Sequence, residues 1–189
     1  MTPHQKAMRA HRTAMSDRVI AFLAKKRVPL GFVTTIVALI LAQPTWTTWR
    51  YGLLVALAGE AVRVWAAGHL EKGREVTTSG PYAFTRHPLY VGSSFLGAGF
   101  AVASNSFVVA AVVAVYLVTT ITAAVRAEEA HLTDKFGGRY PAYRDGSAEP
   151  VERRFSLARA LRNREYRAFA GVIATFALLA AKLYFSLPW

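Results

Sequence analysis

The stretch 107–125 contains no charged residue, and this constrains the fold of the chain more than any other feature of its sequence. Four further apolar segments cover 28–42, 51–70, 89–103 and 168–187, and blocks of polar or basic residues separate most of them. A membrane-spanning helix needs about 20 mainly apolar residues. Three residues separate the third and fourth segments, which predicts a tight helical hairpin. The sequence therefore predicts an all-α integral membrane bundle with about five transmembrane helices, although an interfacial helix also fits the last segment.

The strong positive charge of the chain fits two classes of protein. With 23 Lys and Arg against 11 Asp and Glu, the net charge is +12, which suits either a nucleic-acid binder or a membrane protein with one basic side. Hydrophobic residues make up 53% of the chain and charged residues 18%, and the charges occur in blocks. This pattern favours the membrane protein and argues against nucleic acid. The absence of cysteine excludes a disulfide framework and a thiolate metal site, and we expect no metal.

The basic residues also predict the topology. Seven lie in 1–27, one between the first two segments, three in the next link, none in the hairpin, ten in 126–167 and none after Lys182. By the positive-inside rule, the N-terminus is cytoplasmic, at the inner membrane if the source is bacterial. We expect 1–27 to form a basic amphipathic helix, or in 1–13 a mobile tail, and 28–189 to form one membrane domain. Its cytoplasmic loops would be 69–88 and 126–167, with 153–167 along anionic lipid headgroups.

The first polar cluster precedes the third apolar segment. Pro88 suits the first position of a helix, since its ring fixes the backbone and it lacks a donor that would go unpaired. Arg86 and His87 would then stand at a helix N-terminus, beside backbone donors suited to a carboxylate or phosphate. Gly92, one turn later, allows close approach of a ligand or helix. In the alternative interpretation, Arg86 only anchors the helix to headgroups and His87 only caps it.

The second polar cluster lies at the inner end of the uncharged segment. Glu128 and Glu129 are poorly placed there as partners of the helix dipole, which favours cations at a C-terminus. Neighbouring helical residues point about 100° apart, so one carboxylate can face the bundle and the other water. The alternative is a solvated face on which Arg126 is the partner.

Two further pairs of residues are weaker candidates for a functional role. Glu60 and Arg63 lie three residues apart inside the second apolar segment, where charges are costly and usually functional. The alternative for this pair is mutual neutralisation in a structural role. His69 and Glu71 lack a further ligand at metal spacing, so we expect them in a solvated loop.

Together, the two clusters resemble the isoprenylcysteine carboxyl methyltransferase family, whose wider group includes the membrane phospholipid N-methyltransferases. The resemblance extends from near His69 to Arg144. It rests on Gly80-Pro81-Tyr82, Arg86-His87-Pro88-x-Tyr90-x-Gly92, Glu128-Glu129-x-x-Leu132, Phe136-Gly137, Tyr140 and Tyr143.

This resemblance implies a helical membrane enzyme that binds S-adenosylmethionine in a pocket facing the cytosol. The cofactor-binding residues that it implies are Gly80, Pro81, Tyr82, Arg86, His87, Pro88, Tyr90, Gly92, Glu128 and Glu129. One of the two glutamates would hold the cofactor ammonium, and Glu129 is also a candidate for catalysis. A carboxylate or phosphate acceptor would need a cation, for which Arg126 and then Arg63 are the candidates.

We therefore expect methyl transfer to a lipophilic acceptor that enters from the bilayer, either an isoprenylcysteine-like carboxylate, an amine headgroup, a thiol or a phenol. The fifth helix would close the acceptor tunnel or form a homodimer contact. The alternatives are an NADPH-dependent sterol-type reductase, which has a related Arg-His-x-x-Tyr loop, and a non-catalytic membrane protein. The adjacent glutamates favour the methyltransferase, because they suit a cationic donor and would repel pyrophosphate.

Overall fold

The computed structural model describes residues 21–23, 25–26, 28–149 and 151–185. The predicted N-terminal amphipathic helix lies almost entirely outside these residues. Helix accounts for 78% of the structure, and the described residues contain no strand. The helices are α1 (Val28–Leu41), α2 (Trp46–His69), α3 (Pro88–Ser104), α4 (Phe107–Phe136), α5 (Arg139–Arg144), α6 (Leu157–Arg162) and α7 (Tyr166–Phe185), with a 3-10 helix at Gly80–Ala83.

The five longest helices occupy the five predicted apolar segments. By length and composition, α2, α4 and α7 could each cross a membrane, whereas α1 and α3 are apolar but shorter. The prediction of an all-α membrane helical bundle is therefore confirmed.

Two helix ends differ from the prediction. Helix α2 begins at Trp46, earlier than predicted, because a capping box closes its N-terminus. The Thr45 side chain accepts from the Thr48 backbone N–H at 3.1 Å, and the Thr48 side chain accepts from the Thr45 N–H at 3.0 Å. Helix α4 continues past its apolar part to Phe136, so the predicted loop 126–167 contains the last turns of α4 as well as α5 and α6.

The connections lie at two opposite ends of the bundle. At one end, the Gln43 N–H donates to the Ser104 carbonyl at 2.7 Å, and the Asn105 side chain donates to the Gln43 carbonyl at 3.2 Å. Asn105 makes the hairpin turn in a left-handed conformation, with φ of 49°. At the other end, Arg153 pairs with Glu75. The two links predicted to share one side of the membrane therefore do lie together.

Helices α2 and α3 pack with their backbones in contact. A Cβ atom at Gly52 would lie 2.4 Å from the Gly99 carbonyl oxygen, and one at Gly92 would lie 2.7 Å from the Gly59 carbonyl oxygen. Glycines are spaced seven residues apart on each helix, so the two antiparallel helices meet at two successive levels. Small residues commonly allow such close approach between membrane helices.

Helix α7 lies along α2 and reaches α1. The Trp49 indole N–H donates to the Phe176 carbonyl at 2.9 Å, and Leu179 is fully buried. Near the end of α7, the Lys182 ammonium donates to the carbonyls of Leu39 and Ile40 at 3.1 and 3.0 Å. The helix is thus an integral part of the bundle.

Replacing Gly52 with alanine tests the backbone contact. We expect Gly52→Ala to destabilise the protein by about 1–3 kcal/mol, because the added methyl group would overlap the α3 backbone. Thermal unfolding in dodecyl maltoside measures the effect. Gly171→Ala on α7 is the matched control, since nothing lies within 4 Å of its added Cβ. Equal melting temperatures for the two variants would contradict this description of the helix interface.

Candidate active site

The loop before α3 places Arg86 and His87 at the start of that helix. Pro88 occupies the first helical turn and His87 the N-cap position, as the sequence predicts. The His87 side chain makes no capping hydrogen bond. Its ring instead lies 5.9 Å from the ring of Tyr90, measured between centroids. The alternative in which His87 only caps the helix is therefore wrong.

Glu129 of α4 joins this loop. One of its carboxylate oxygens lies 3.1 Å from His87 Nε2 and 3.2 Å from Arg86 Nη1. The Arg86 side chain is 41% exposed and that of Glu129 29%, so the pair borders water, whereas the His87 side chain is only 15% exposed. Two elements that are separate in sequence thus bring a guanidinium, an imidazole and a carboxylate together.

The two adjacent glutamates face different surroundings. Glu129 is half-buried against the α3 loop, whereas Glu128 is exposed. Arg126 is also exposed and makes no ion pair or hydrogen bond within the described part of the chain. The structure therefore brings Glu129 to the site and leaves Arg126 outside this cluster. The pairing of a glutamate with Arg126, which belonged to the alternative interpretation, is not found among the described residues.

Three tyrosines form one wall of the site. The Tyr143 hydroxyl donates to the Tyr82 carbonyl at 2.6 Å, which ties α5 to the 3-10 helix. The rings of Tyr140 and Tyr143 meet edge to face, with 6.1 Å between centroids. Burial raises the pKa of Tyr140 and that of Tyr143 to about 12. Burial also raises the pKa of Tyr82 above its ordinary value. All three phenols are therefore neutral at physiological pH.

Gly80 and Pro81 form the floor of the loop. Gly80 has φ of 60°, and a Cβ atom there would lie 2.6 Å from the His69 ring. The His69 Nδ1 atom lies 3.2 Å from the Ser79 hydroxyl. Only a residue without a side chain fits between the ring and the turn. Pro81 is buried beside it.

The prediction that His69 and Glu71 lie in a solvated loop was wrong. His69 is 6% exposed, because α2 extends to this residue and the C-terminal segment covers it. Glu71 pairs with Arg159 of α6 at 2.8 Å. The sequence does not predict that the C-terminal segment covers His69 and Glu71, because the contacting residues lie more than 80 positions apart and share no periodicity.

The C-terminal segment also closes the end of α2. The last carbonyl groups of a helix lack partners within it and need other donors. Here the Asn163 side chain donates to the carbonyls of Ala67 and Leu70, both at 2.9 Å. Arg159 donates to the Gly68 carbonyl, and Arg153 to the His69 carbonyl at 3.3 Å. Cationic side chains also interact favourably with the helix dipole at this end. The floor of the loop therefore packs against the C-terminal end of α2, which Arg153, Arg159 and Asn163 hold in place.

Arg63 pairs with other carboxylates than Glu129 and contacts the first turns of α3. Its Nε atom donates to Glu165 at 2.6 Å, and its Nη1 atom donates to the Leu89 carbonyl at 3.3 Å and to the Ser93 hydroxyl. Gly92 permits this arrangement, because a Cβ atom there would lie 2.4 Å from Arg63 Cγ. The expected pair with Glu60 exists only at 3.8 Å. Glu165 is thus the main partner of Arg63, and no pattern in the sequence connects the two residues.

Comparison with known proteins identifies the family of this chain. Residues 30–139 match the model of the phospholipid methyltransferase family, which lies in one group with the isoprenylcysteine carboxyl methyltransferases. The match covers more than half of the chain and contains both polar clusters. The chain belongs to the phospholipid methyltransferase family. The expected resemblance is therefore confirmed, and membership supports membrane methyltransferase activity in general terms.

Two bacterial proteins are similar to this phospholipid methyltransferase family member. The nickel-cobalt-cadmium resistance protein NccN of Alcaligenes xylosoxydans xylosoxydans is 30% identical over 65% of the chain and 66% of its own length. The cobalt-zinc-cadmium resistance protein CzcN of Cupriavidus metallidurans is 29% identical over 67% of the chain and 64% of its own length. The chain thus spans slightly less than two thirds of either relative. No solved structure matches it.

The contact between Glu71 and α6 predicts a pH dependence of stability. The hydrogen bond from Arg159 lowers the pKa of Glu71 below its ordinary value of 4.5. The contact therefore stabilises the fold above pH 4.5 and is lost as the pH falls through the lower, folded-state pKa. We expect Glu71→Gln to melt at a lower temperature at neutral pH and to lose less stability on acidification.

Melting temperatures between neutral pH and about pH 3.5 measure this effect. Glu152→Gln removes the same charge from an exposed carboxylate and is the control. If Glu71→Gln and the wild type lose stability equally steeply, the Arg159 contact does not contribute to the acid sensitivity.

Proposed function

We propose that this protein transfers a methyl group from S-adenosylmethionine to a lipophilic acceptor that enters from the bilayer. The observation that carries the proposal is the convergence of Arg86, His87 and Glu129, which come from the two motifs of the family. The site would face the cytoplasm, since the basic links of the chain lie at the same end of the bundle.

The charges at the site fit the amino-acid end of the cofactor. That end carries one carboxylate and one ammonium, and the site offers one guanidinium at a helix N-terminus and one half-buried carboxylate. Arg86 would bind the carboxylate, and Glu129 would bind the ammonium. The ion pair between Arg86 and Glu129 keeps each group at the site and compensates its charge. A pyrophosphate would gain from Arg86 but would be repelled by Glu129, which disfavours the reductase alternative.

The surrounding residues can order both reactants. Bound S-adenosylmethionine supplies a methyl group already activated on a sulfonium, so the protein mainly has to align the reactants and exclude water. His87 and Tyr90 would line the cofactor site, with the turn at Gly80, Pro81 and Tyr82 as its floor. Neutral buried phenols suit a site from which water is excluded.

Exposed aromatic residues next to the loop support a lipophilic acceptor. Trp65 is 42% exposed and Phe84 is 83% exposed, and their ring centroids lie 6.4 Å apart. Aromatic side chains of this kind are typical of the membrane–water interface. They lie beside the 3-10 helix, where an amphiphile could approach from the bilayer with its polar group toward the site.

Ligand-induced thermal stabilisation tests the proposal. A ligand that binds only the folded state at 100 times its Kd stabilises the protein by about 2.7 kcal/mol. We expect S-adenosylmethionine to raise the melting temperature of the protein in dodecyl maltoside and NADPH to leave it unchanged. Stabilisation by NADPH alone would favour the reductase, and stabilisation by neither ligand would favour a non-catalytic protein.

Substitutions at the site test the assignment of residues. His87→Ala and Glu129→Gln should each abolish or strongly weaken the stabilisation by S-adenosylmethionine, because they remove a ring or a carboxylate from the binding site. Asp134→Asn changes an exposed carboxylate on the same helix and should leave the stabilisation unchanged. Calorimetry on the purified variants measures the affinity directly. Wild-type affinity in both site variants would refute the proposed pocket.

A further inference from the structure

Six arginines lie between the end of α5 and the first turn of α7, and three of them hold the chain together. Arg153 and Arg159 are mostly buried and pair with Glu75 and Glu71. Arg162 also contacts Glu71, at 3.3 Å. These three guanidinium groups already have carboxylate partners, and they keep the segment around α6 against the link that follows α2.

The other three arginines have no acidic partner. Arg154, Arg164 and Arg167 are exposed, and their side chains make no ion pair or hydrogen bond within the part of the chain that the structure describes. Arg154 lies three residues before α6, whereas Arg164 follows α6 and Arg167 lies in the first turn of α7. A helix of six residues is only about 9 Å long, so three uncompensated positive charges surround one short element.

Exposed apolar side chains accompany these charges. Leu157 and Leu161 of α6 are 60% and 52% exposed. Because residues four positions apart lie on the same face of a helix, the two leucines form one apolar strip. The ring of Tyr166, at the start of α7, is exposed as well. Exposed apolar residues next to basic ones are typical of helices that lie in the interface between lipid headgroups and hydrocarbon.

Two apolar helices fix the depth of this surface. Helix α7 begins at Tyr166, four residues after α6 ends. Helix α6 lies against the end of α2, where the Ser156 N–H and the Arg159 side chain both donate to the Gly68 carbonyl. Both α2 and α7 are long and apolar enough to cross a membrane. The C-terminal end of α2 and the N-terminal end of α7 therefore place α6 where the hydrocarbon core meets the headgroups.

We propose that the α6 surface, formed by Arg154, Leu157, Leu161, Arg164 and Arg167, binds anionic phospholipid. The guanidinium groups would bind lipid phosphates through charge-assisted hydrogen bonds, and the two leucines would enter the hydrocarbon boundary. A zwitterionic headgroup compensates its own phosphate, so an anionic lipid fits the excess charge better. An acidic protein would also suit the arginines, but it gives no reason for exposed leucines at the depth of the headgroups.

This proposal narrows the expectation for 153–167 to three arginines, and it does not depend on the proposed methyl transfer. Lipid bound on the α6 surface would hold α6 against α2, because Arg159 of the same helix donates to the Gly68 carbonyl. Binding should therefore stabilise the folded protein, which makes thermal unfolding a direct measure of it.

The experiment compares two lipids that differ in headgroup charge. The melting temperature of the intact chain in dodecyl maltoside is titrated with dioleoyl phosphatidylglycerol or with dioleoyl phosphatidylcholine. We expect the anionic lipid to raise the melting temperature more than the zwitterionic one. This difference should decrease as the salt concentration rises, because salt screens exposed charges.

A triple variant tests the arginines. Arg154→Gln, Arg164→Asn and Arg167→Gln remove the three charges, and asparagine suits the left-handed conformation of residue 164, which has φ of 62°. An arginine beside an anionic surface contributes about fivefold to binding, so the triple variant should bind phosphatidylglycerol about a hundredfold more weakly. If the triple variant does not fold, the three single variants give the same test, each with an expected loss of about fivefold.

The matched control combines Arg50→Gln, Lys72→Gln and Lys135→Gln, which remove the same charge from exposed positions on other elements. It should bind phosphatidylglycerol as the wild type does, and an equal loss in both triple variants would overturn the proposal in favour of a general charge effect. Equal stabilisation by the two lipids would also overturn it and leave an acidic protein as the better partner. Glycerol 1-phosphate carries the phosphate without the chains, and stabilisation by this compound as strong as that by phosphatidylglycerol would refute a lipid site.

Discussion

The backbone contact between α2 and α3 determines where the other parts of the site can lie. Glycines at two levels bring the helix axes so close that no side chain separates them at those levels. Arg63 then extends past Gly92 and reaches the first turn of α3, where it donates to the Leu89 carbonyl. The position of this turn fixes His87, and the hairpin at Asn105 returns α4 so that Glu129 meets it. A wider separation of α2 and α3 would break the contact between Arg63 and the first turn of α3.

The C-terminal part of the chain supplies the second constraint. The segment after the family match caps the carbonyl groups at the end of α2 through Arg153, Arg159 and Asn163. It also contributes Glu165, the main partner of Arg63. A helix end left inside the protein without such donors would be costly. The family motifs therefore do not form the site alone, since the floor of the loop depends on the contacts of α6 and Asn163 with the end of α2.

The parts of the molecule that sequence analysis predicts are those governed by local rules. Hydropathy locates the apolar helices, and Pro88 marks the start of α3, because both depend only on neighbouring residues. The capping box at Thr45 is closed by Thr48 instead of the usual Glu or Gln, so the apolar pattern alone places the start of α2 too late. By contrast, the partner of Arg63 lies 102 residues away. The burial of His69 depends likewise on a distant segment, and no periodicity connects such positions.

Acidic residues are few in this chain, and most of the buried or half-buried ones pair with arginines. With 23 basic residues and only 11 acidic ones, donors for a carboxylate are plentiful, and Glu71, Glu75, Glu129 and Glu165 each pair with at least one arginine at 3.3 Å or less. Among the buried and half-buried carboxylates of the described residues, Glu60 is the exception, because its ion pair with Arg63 is long, at 3.8 Å, and it accepts no hydrogen bond. Desolvation makes a carboxylate in such a position more expensive than an apolar residue of similar size. Glu60 therefore costs folding free energy, whereas each of the four paired carboxylates joins two segments that are distant in the sequence.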